Sequence, residues 1–387
     1  MNICMLAYST FPSDVRIKRE ADALISKNYE VDVICLKEKN EIFEEHLKGI
    51  NIYRISMEKK RGGIKIYFYY YNLAIIKIML KLLHLSFRKN YTHIHIHNPP
   101  DHLLLAALPF KLLFRTKLIL DIHDPLPEIF ASRFEIKINS PIIKTMRVME
   151  WICCKLADKI VTVNETIKDN LANNGIKNVL VVMNSADEKL FTEEKNKTSK
   201  HKYNFYNKFV VLYEGSIMKR RGLDVLIDSV ALLKDKIPNI YCAIIGDGDY
   251  LSNLRQRVKD LGLDDYVGLP GKRPLEEMPE YVAISDVCVI PFIKSPINEI
   301  GVPNKLFEYM IYDKPMIIPK LKAMSRILSE DECFFFEPGN AADLAEKIMK
   351  IHKNPEKAII RAEYAGKKFA DYRWENMKNN LYECYEI

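Results

Sequence analysis

The sequence predicts an α/β protein built as two Rossmann-like domains facing each other across a cleft. Three observations lead there. The chain has 387 residues, too many for one ordinary core and suited to about two domains. Short apolar runs alternate with longer segments of helical period in both halves, the signature of parallel strands joined by helical crossovers. That alternation stops over residues 189–207, which are polar and charged, and then restarts, as expected of a linker. The predicted layout is a first domain at 1–188, a linker at 189–207, a second domain at 208–370 and a terminal helix at 371–387.

In the first domain the predicted strands are Asn2–Ala7, Val31–Leu36, Ile50–Ile55, His93–His97, Lys117–Asp121, Lys159–Val163 and Val179–Val182. Helices fall between them. In Asp14–Lys27, for example, Val15, Ile17, Ala21, Leu24 and Ile25 repeat with roughly helical period. The second domain restarts with strand Phe209–Tyr213 and helix Gly222–Lys234, followed by strand Tyr241–Ile245 and helix Tyr250–Leu261. Strand Val267–Leu269, helix Glu276–Ile284, strand Val287–Ile290, helix Asn304–Ile311 and strand Met316–Pro319 continue the alternation. A strand at Cys333–Phe336, two helices and the aromatic-rich helix Trp374–Tyr385 close the chain.

Composition narrows the class. Apolar residues make up 48%, which fits a globular protein. The net charge of +7 belongs wholly to the first half: residues 1–190 hold 28 Lys+Arg against 21 Asp+Glu, and the rest hold 30 against 30. A basic half suits nucleic acid, an anionic membrane or acidic small molecules. No RNP motif, zinc-finger spacing or arginine-rich tract is present, so nucleic acid is not expected as a partner. Ile64–Phe87 is apolar and aromatic but is interrupted by Lys65, Lys77 and Lys81, which argues against a spanning helix. Two readings stay open: an amphipathic helix in the bilayer interface, or a helix packed on a sheet with its lysines in water. Met1–Tyr8 lacks a cationic n-region and cleavage site and reads as a buried first strand, not a signal peptide. The 8 cysteines follow no metal-ligand rhythm and read as reduced core thiols of a cytoplasmic protein.

The most informative stretch is Asn304–Met310, with the apolar strand after Asp313-Lys314-Pro315. Pro303 fixes φ where the helix begins. Backbone N–H groups there, with the Lys305 ammonium, make an anion site for which phosphate is the usual anion. Glu308, one turn further in, is poorly placed for phosphate and well placed to accept hydrogen bonds from sugar hydroxyls. Diphosphate plus ribose describes a nucleotide-sugar.

Other signals are weak singly. Gly215-Ser216 end a strand, Arg221-Gly222 open a helix, Gly246-Asp247-Gly248 end the next strand, and Gly271 follows Val267–Leu269. In the first half Asp121-Ile122-His123-Asp124 precedes Pro127-Glu128, and His97-Asn98-Pro99-Pro100-Asp101 ends an earlier strand. His93, His95 and His97 alternate and share one strand face. A zinc site there is disfavoured, because side chains two apart on one strand rarely converge on a tetrahedral metal. No metal is expected.

As an ordered set these motifs resemble the retaining glycosyltransferases of family 4, with the GT-B architecture, over nearly the whole chain. The resemblance implies that Glu308, matching the second glutamate of the family's paired motif, holds the nucleotide ribose. The first glutamate falls at Ile300, a departure; Glu299, or backbone groups of Gly301 and Val302, are left to replace it at the donor sugar. Of the family's phosphate clamp, the first position is Ser216 and the second is Arg221, whose planar fork suits two phosphate oxygens. Lys305 supplies a second charge. Gly246, Asp247 and Arg273 are donor-side candidates, lying where the base would be selected. His123 would touch the transferred sugar or the reacting oxygens, and with Glu308 makes up the expected catalytic pair. Asp14, Arg16, His97, Asn98, Asp124 and Glu128 are the acceptor-side candidates, although Asp14 reads equally as a plain helix N-terminal charge. Asn184 and Trp374 read as architectural, Trp374 on a helix that returns to the first domain.

The implied activity is transfer of a sugar from a nucleotide-sugar to a glycan or polyprenyl-linked acceptor, with retention and no obligatory metal or other cofactor. Domain closure would exclude water. The implied setting is surface-polysaccharide synthesis in the cytoplasm, on the inner, anionic face of the plasma membrane. Rival readings are a GT-B-like UDP-sugar 2-epimerase and a non-catalytic nucleotide-sugar-binding subunit. A dehydrogenase is disfavoured, since no Gly-x-Gly-x-x-Gly follows the first strand.

Overall fold

The structure is a computed structural model that describes residues 1–57, 62–193 and 205–386. The chain divides into two compact units, Met1–Asn184 with Glu375–Ile387, and Ser185–Trp374. Of the expected linker, the start is a short helix, Glu188–Glu193, and residues 194–204 lie outside the described residues.

Among the described residues the first unit holds eight strands: β1 (Asn2–Thr10), β2 (Glu30–Leu36), β3 (Glu44–Leu47), β4 (Ile50–Ile55), β5 (His93–His97), β6 (Lys117–Ile122), β7 (Lys159–Thr162) and β8 (Val179–Val181). They pair in the order β3-β4-β2-β1-β5-β6-β7-β8. Every pairing is parallel except β3 with β4. The edge strand β3 has no counterpart in the sequence reading. Its Glu-Glu-His-Leu sequence is half-exposed and lacks apolar alternation, and such charged, short edges resist pairing with other chains.

Buried interior strands read as continuous apolar runs because helices cover both faces. Ile3, Cys4, Met5 and Leu6 of β1 are wholly buried, and β5 is buried along its length despite three histidines. All eight cysteines are free and buried. Helix Trp374–Cys384 seals one side of this unit. The Tyr385 hydroxyl lies 2.7 Å from His95 Nδ1, Tyr382 donates to the Ala23 carbonyl at 3.2 Å, and Asn380 donates to the Val181 carbonyl at 2.8 Å. Trp374 itself belongs to the second unit, where its backbone N–H donates to Glu188.

Helix Ile64–Ser86 is long and apolar enough to cross a membrane by length and composition. It buries Tyr71, Ala74, Ile78, Leu82 and Leu85, a stripe spaced by three and four residues. Lys77 donates to the Ser56 carbonyl and Lys81 to Glu44. These lysines therefore tie the helix to neighbouring backbone and strand, where the packed-helix reading placed them in water. Ile66, Phe68, Tyr69, Ile76, Leu80 and Leu83 remain exposed on the same helix.

The second unit holds six strands: β9 (Phe209–Glu214), β10 (Ile240–Ile245), β11 (Val267–Gly271), β12 (Val287–Val289), β13 (Met316–Pro319) and β14 (Phe334–Phe336). Their order is β11-β10-β9-β12-β13-β14. In both sheets the strand order reverses beside the unit's first strand, between β1 and β5 and between β9 and β12. Ligands of open α/β sheets bind at such switch points, beyond the carboxyl ends of the strands.

Candidate active site

At the switch point of the first unit, the ends of β1, β5 and β6 open into a cavity of about 400 Å³. Asp14, Arg16, His97, Asn98, His123 and Asp124 all line it, as do Tyr8, Tyr67 and Tyr71. The sequence reading did not single out the tyrosines. Tyr67 and Tyr71 are four apart on helix Ile64–Ser86, a spacing that shares one helical face.

Asp121, the last buried acid of β6, organises the imidazoles. Its Oδ2 lies 3.1 Å from His97 Nδ1, 3.5 Å from His123 Nδ1 and 3.9 Å from Arg16 Nε. Burial alone would raise its pKa, but His123, His97 and Arg16 together hold it well below the usual carboxylate range. Asp14 is similar: burial opposes the charge, and Arg16, His123 and His97 outweigh it, lowering the pKa. His97 itself is lowered by burial, against its bond to Asp121, so the neutral ring dominates near pH 7. Behind it His95 stacks on His97 with centroids 4.3 Å apart, and burial lowers its pKa strongly.

Asn98 lines the cavity and also braces its rim. Its Nδ2 donates to Asp101 Oδ1 at 2.7 Å and to the Asp124 carbonyl at 3.1 Å. Its Oδ1 accepts from the His123 and Asp124 backbone N–H groups at 3.0 and 3.2 Å. With its amide committed to protein, Asn98 fixes the loop that carries His123. Glu128 does not reach the cavity: it is buried and bonded to Arg147 at 2.6 Å. The expectation that it meets an acceptor is corrected, because helix Leu126–Arg133 turns this carboxylate into a buried ion pair.

In the second unit, the carboxyl end of β9 leads into two close backbone approaches and one to a side chain. A Cβ on Gly246 would lie 1.8 Å from the Gly215 carbonyl oxygen, and one on Gly248 1.9 Å from the Ile217 carbonyl oxygen. A Cβ on Gly215 would sit 2.7 Å from Lys305 Nζ. These glycines let the ends of β9 and β10 converge on Lys305. Asp247 and Ser216 are exposed beside them, and Asp247 Oδ1 accepts from the Gly248 N–H. Arg273 is exposed in the loop after β11.

Lys305 and Glu308 occupy the start of helix Lys305–Ile311. The Lys305 ammonium is buried, lies over the Tyr213 ring and donates to the Glu214 carbonyl. The sequence reading aimed this charge at a phosphate; here it is held against the strand end. Glu308 is half-buried. Burial and then the Glu214 carboxylate raise its pKa well above the usual range, against Lys305, and a hydrogen bond to Glu214 pushes the same way. Glu214 Oε1 is buried without a hydrogen-bond partner. A second carboxyl so close disfavours the charged form of Glu308. Glu214 escaped the sequence reading. An acid at the end of an otherwise apolar strand, next to Gly215, was the available signal.

Arg221 ends the turn Lys219–Arg221 and stacks on Phe292, 4.2 Å from guanidinium carbon to ring centroid. Glu299, weighed for the missing first glutamate, accepts from the Lys322 N–H at 3.1 Å and pairs with Lys294 at 3.5 Å. Ile300 is buried, and the Gly301 N–H donates back to Ile297. Val302 is half-exposed.

Comparison with known proteins assigns this architecture. Residues 14–189 match the family described as Glycosyltransferase Family 4, and residues 195–368 match Glycosyl transferases group 1. An uncharacterised glycosyltransferase of Methanocaldococcus jannaschii is 25% identical over 232 residues, which is 59% of this chain and 60% of the relative. The amylovoran biosynthesis glycosyltransferase of Erwinia amylovora is 25% identical over 143 residues, 36% of this chain and 35% of that one. The chain thus spans less than two thirds of the length of these curated relatives. The structure of Anabaena HepE in complex with UDP-glucose superposes with a TM-score of 0.75 at 18% identity, covering 100% of this chain and 98% of that one, and shows the same fold. Both halves being matched in order, the chain belongs to the group 1 glycosyltransferases of GT-B fold.

Proposed function

We propose that this protein transfers a sugar from a nucleotide-sugar to a glycan or polyprenyl-linked acceptor, with retention of anomeric configuration. The observation that carries this reading is the carboxyl of Glu308 beside Glu214, Lys305 and Gly215 at the switch point of the second unit. A carboxylate able to accept from a ribose diol, next to a lysine and strand-end glycines, suits a nucleoside diphosphate. The Anabaena protein of this fold, solved with UDP-glucose, favours UDP-sugars as the first donors to try.

In this reading the second unit holds the donor, with Arg221, Lys305 and the strand-end amides neutralising the diphosphate in place of a metal. The cavity of the first unit, with His97 and His123, receives the acceptor and the transferred sugar. The acceptor hydroxyl attacks the anomeric carbon from the face the diphosphate leaves. The bond from that carbon to the phosphate oxygen breaks with its electron pair on the diphosphate, which takes the hydroxyl proton. The exposed apolar residues of helix Ile64–Ser86 and the basic first half support work at the anionic inner face of the membrane, in surface-polysaccharide synthesis. The relative from Erwinia amylovora, named for amylovoran biosynthesis, points the same way.

The test is nucleoside diphosphate release from a panel of UDP- and GDP-sugars, with and without polyprenyl-linked acceptors. Acceptor-dependent release, with product of unchanged anomeric configuration, is expected for one donor. Binding of no nucleotide-sugar by the purified chain would sink the proposal.

A further inference from the structure

Behind His97, the first unit contains a group of side chains that acceptor binding leaves unexplained. Glu20 from helix Val15–Ile25, His95 and His97 from β5, and Asp121 from β6 each offer one ligand atom, and these atoms all lie within 4.8 Å of one another. None of the four residues is more than 2% exposed. Each keeps a buried polar atom with no hydrogen-bond partner: Glu20 Oε2, His95 Nε2, His97 Nε2 and Asp121 Oδ1. Buried polar atoms are rarely left unpaired, and here four residues from three separate elements each keep one within a single cluster.

We propose that Glu20, His95, His97 and Asp121 form a buried site for one divalent transition-metal ion, zinc by its donor set. Two imidazoles and two carboxylates give the four nitrogen and oxygen donors of a tetrahedral zinc centre, and the carboxylates neutralise its charge. Calcium and magnesium, which prefer all-oxygen shells, fit poorly. His95 Nδ1 is held by the Tyr385 hydroxyl at 2.7 Å, as an outer-shell partner holds a ligating ring, and His97 Nδ1 lies 3.1 Å from Asp121 Oδ2. The ring planes of the two histidines are only 27° apart.

The objection that residues two apart on a strand do not surround a tetrahedral metal is met by the topology. The strand supplies two ligands, and the flanking helix and the next strand supply the others. Two cationic neighbours oppose the ion, Arg16 and, when protonated, His123, and both face Asp121 Oδ2. Arg16 is itself paired with Asp14 at 3.5 Å, which leaves the surroundings negative overall. The ion is structural. It joins the first helix and the terminal helix, through Tyr385, to the strand ends that carry the cavity, and no step of the proposed transfer runs through it.

The site lies wholly in the first unit and is read independently of nucleotide-sugar binding. The test is elemental analysis of the full chain, purified without a polyhistidine tag from cells grown with added zinc, alongside cobalt loading. About one equivalent of zinc per chain is expected in the wild type and in His93→Ala, falling below roughly a tenth in His95→Ala and Glu20→Ala. Cobalt-loaded wild type should show the intense visible bands of a tetrahedral centre, a readout that stands even if the variants fail to fold. Less than about a tenth of an equivalent in the wild type, however loaded, overturns the proposal. So does full metal content in both ligand variants.

Discussion

Glu308 was legible because its helix begins with a proline and a lysine. Its partner Glu214 was not, since a single acid ending an apolar strand carries no periodic signal and the two acids sit on elements far apart in sequence, β9 and helix Lys305–Ile311. Their proximity gives a pH prediction. The Glu308 pKa is raised by burial and by Glu214, and the charged carboxylate is the better acceptor for ribose hydroxyls. Nucleotide affinity should therefore rise with pH as Glu308 loses its proton. Glu214→Gln removes the like charge, so the same rise should appear at lower pH, measurable by titration calorimetry across that range. Glu308→Ala should weaken every activated sugar by roughly 10- to 100-fold, the worth of hydrogen bonds to a charged group. Unchanged affinity in that variant would remove the ribose assignment. Arg221, Lys305 and Glu299 show where residue-level reading falls short. Type and spacing were visible, but the partners that engage them (Phe292, the Glu214 carbonyl and the Lys322 amide) come from segments distant in sequence.

Apart from the charged edge strand β3, the strands of both sheets could be read to within a few residues, because buried parallel strands are apolar runs bounded by turn residues. Their ends, where the glycines sit, could be read only as punctuation. Gly246 has φ 149°, and a Cβ there would lie 1.8 Å from the Gly215 carbonyl oxygen. Gly246→Ala must therefore push β9 and β10 apart at their tips. A stability loss of about 2 kcal/mol or more is expected by denaturant unfolding, together with lost nucleotide affinity. Helix Pro141–Leu156 carries a second element-level consequence. Its Glu150 is buried beside Asp101 and Glu128, and bonded to Arg147 at 3.1 Å. Burial first, and then Asp101, push its pKa up to about 8, against Arg147. An acid raised in the folded state holds its proton there longer than in the unfolded chain. Stability contributed by the neutral form is thus present at low pH and is lost as pH climbs through about 8. Glu150→Gln keeps an acceptor for Arg147 without the charge. Its advantage over wild type should be near zero around pH 5 and reach about 1 kcal/mol or more at pH 8.5, read from urea unfolding at each pH. An advantage that does not grow with pH would show that Arg147 fully compensates the buried charge.

At the scale of the whole chain, three of the first half's basic residues gather in one place. The end of helix Ile64–Ser86 and the segment that follows helix Leu108–Phe114 line one cavity, which includes Lys89, Arg115 and Lys117 with Phe110 and Phe114. Next to these cations Leu112, Leu113 and Phe114 are consecutive and 73%, 74% and 63% exposed. Single exposed apolar residues need no explanation, whereas a contiguous group beside basic residues matches an interfacial membrane contact. The sequence could not separate an interfacial helix from a packed one, because Ile64–Ser86 carries features of each: a buried stripe and an exposed apolar remainder. If the surface works at a bilayer, the full chain should co-sediment with vesicles containing phosphatidylglycerol and not with purely zwitterionic ones. Raising salt should weaken that binding, since part of the attraction is electrostatic. Replacing Leu112, Leu113 and Phe114 together by serine should lower vesicle affinity roughly tenfold while leaving the unfolding midpoint nearly unchanged, because these side chains bury little in the protein. Equal binding by the triple variant would place the contact elsewhere on the basic half. No binding by the wild type would remove the membrane from the account and leave the acceptor to be sought among soluble glycans.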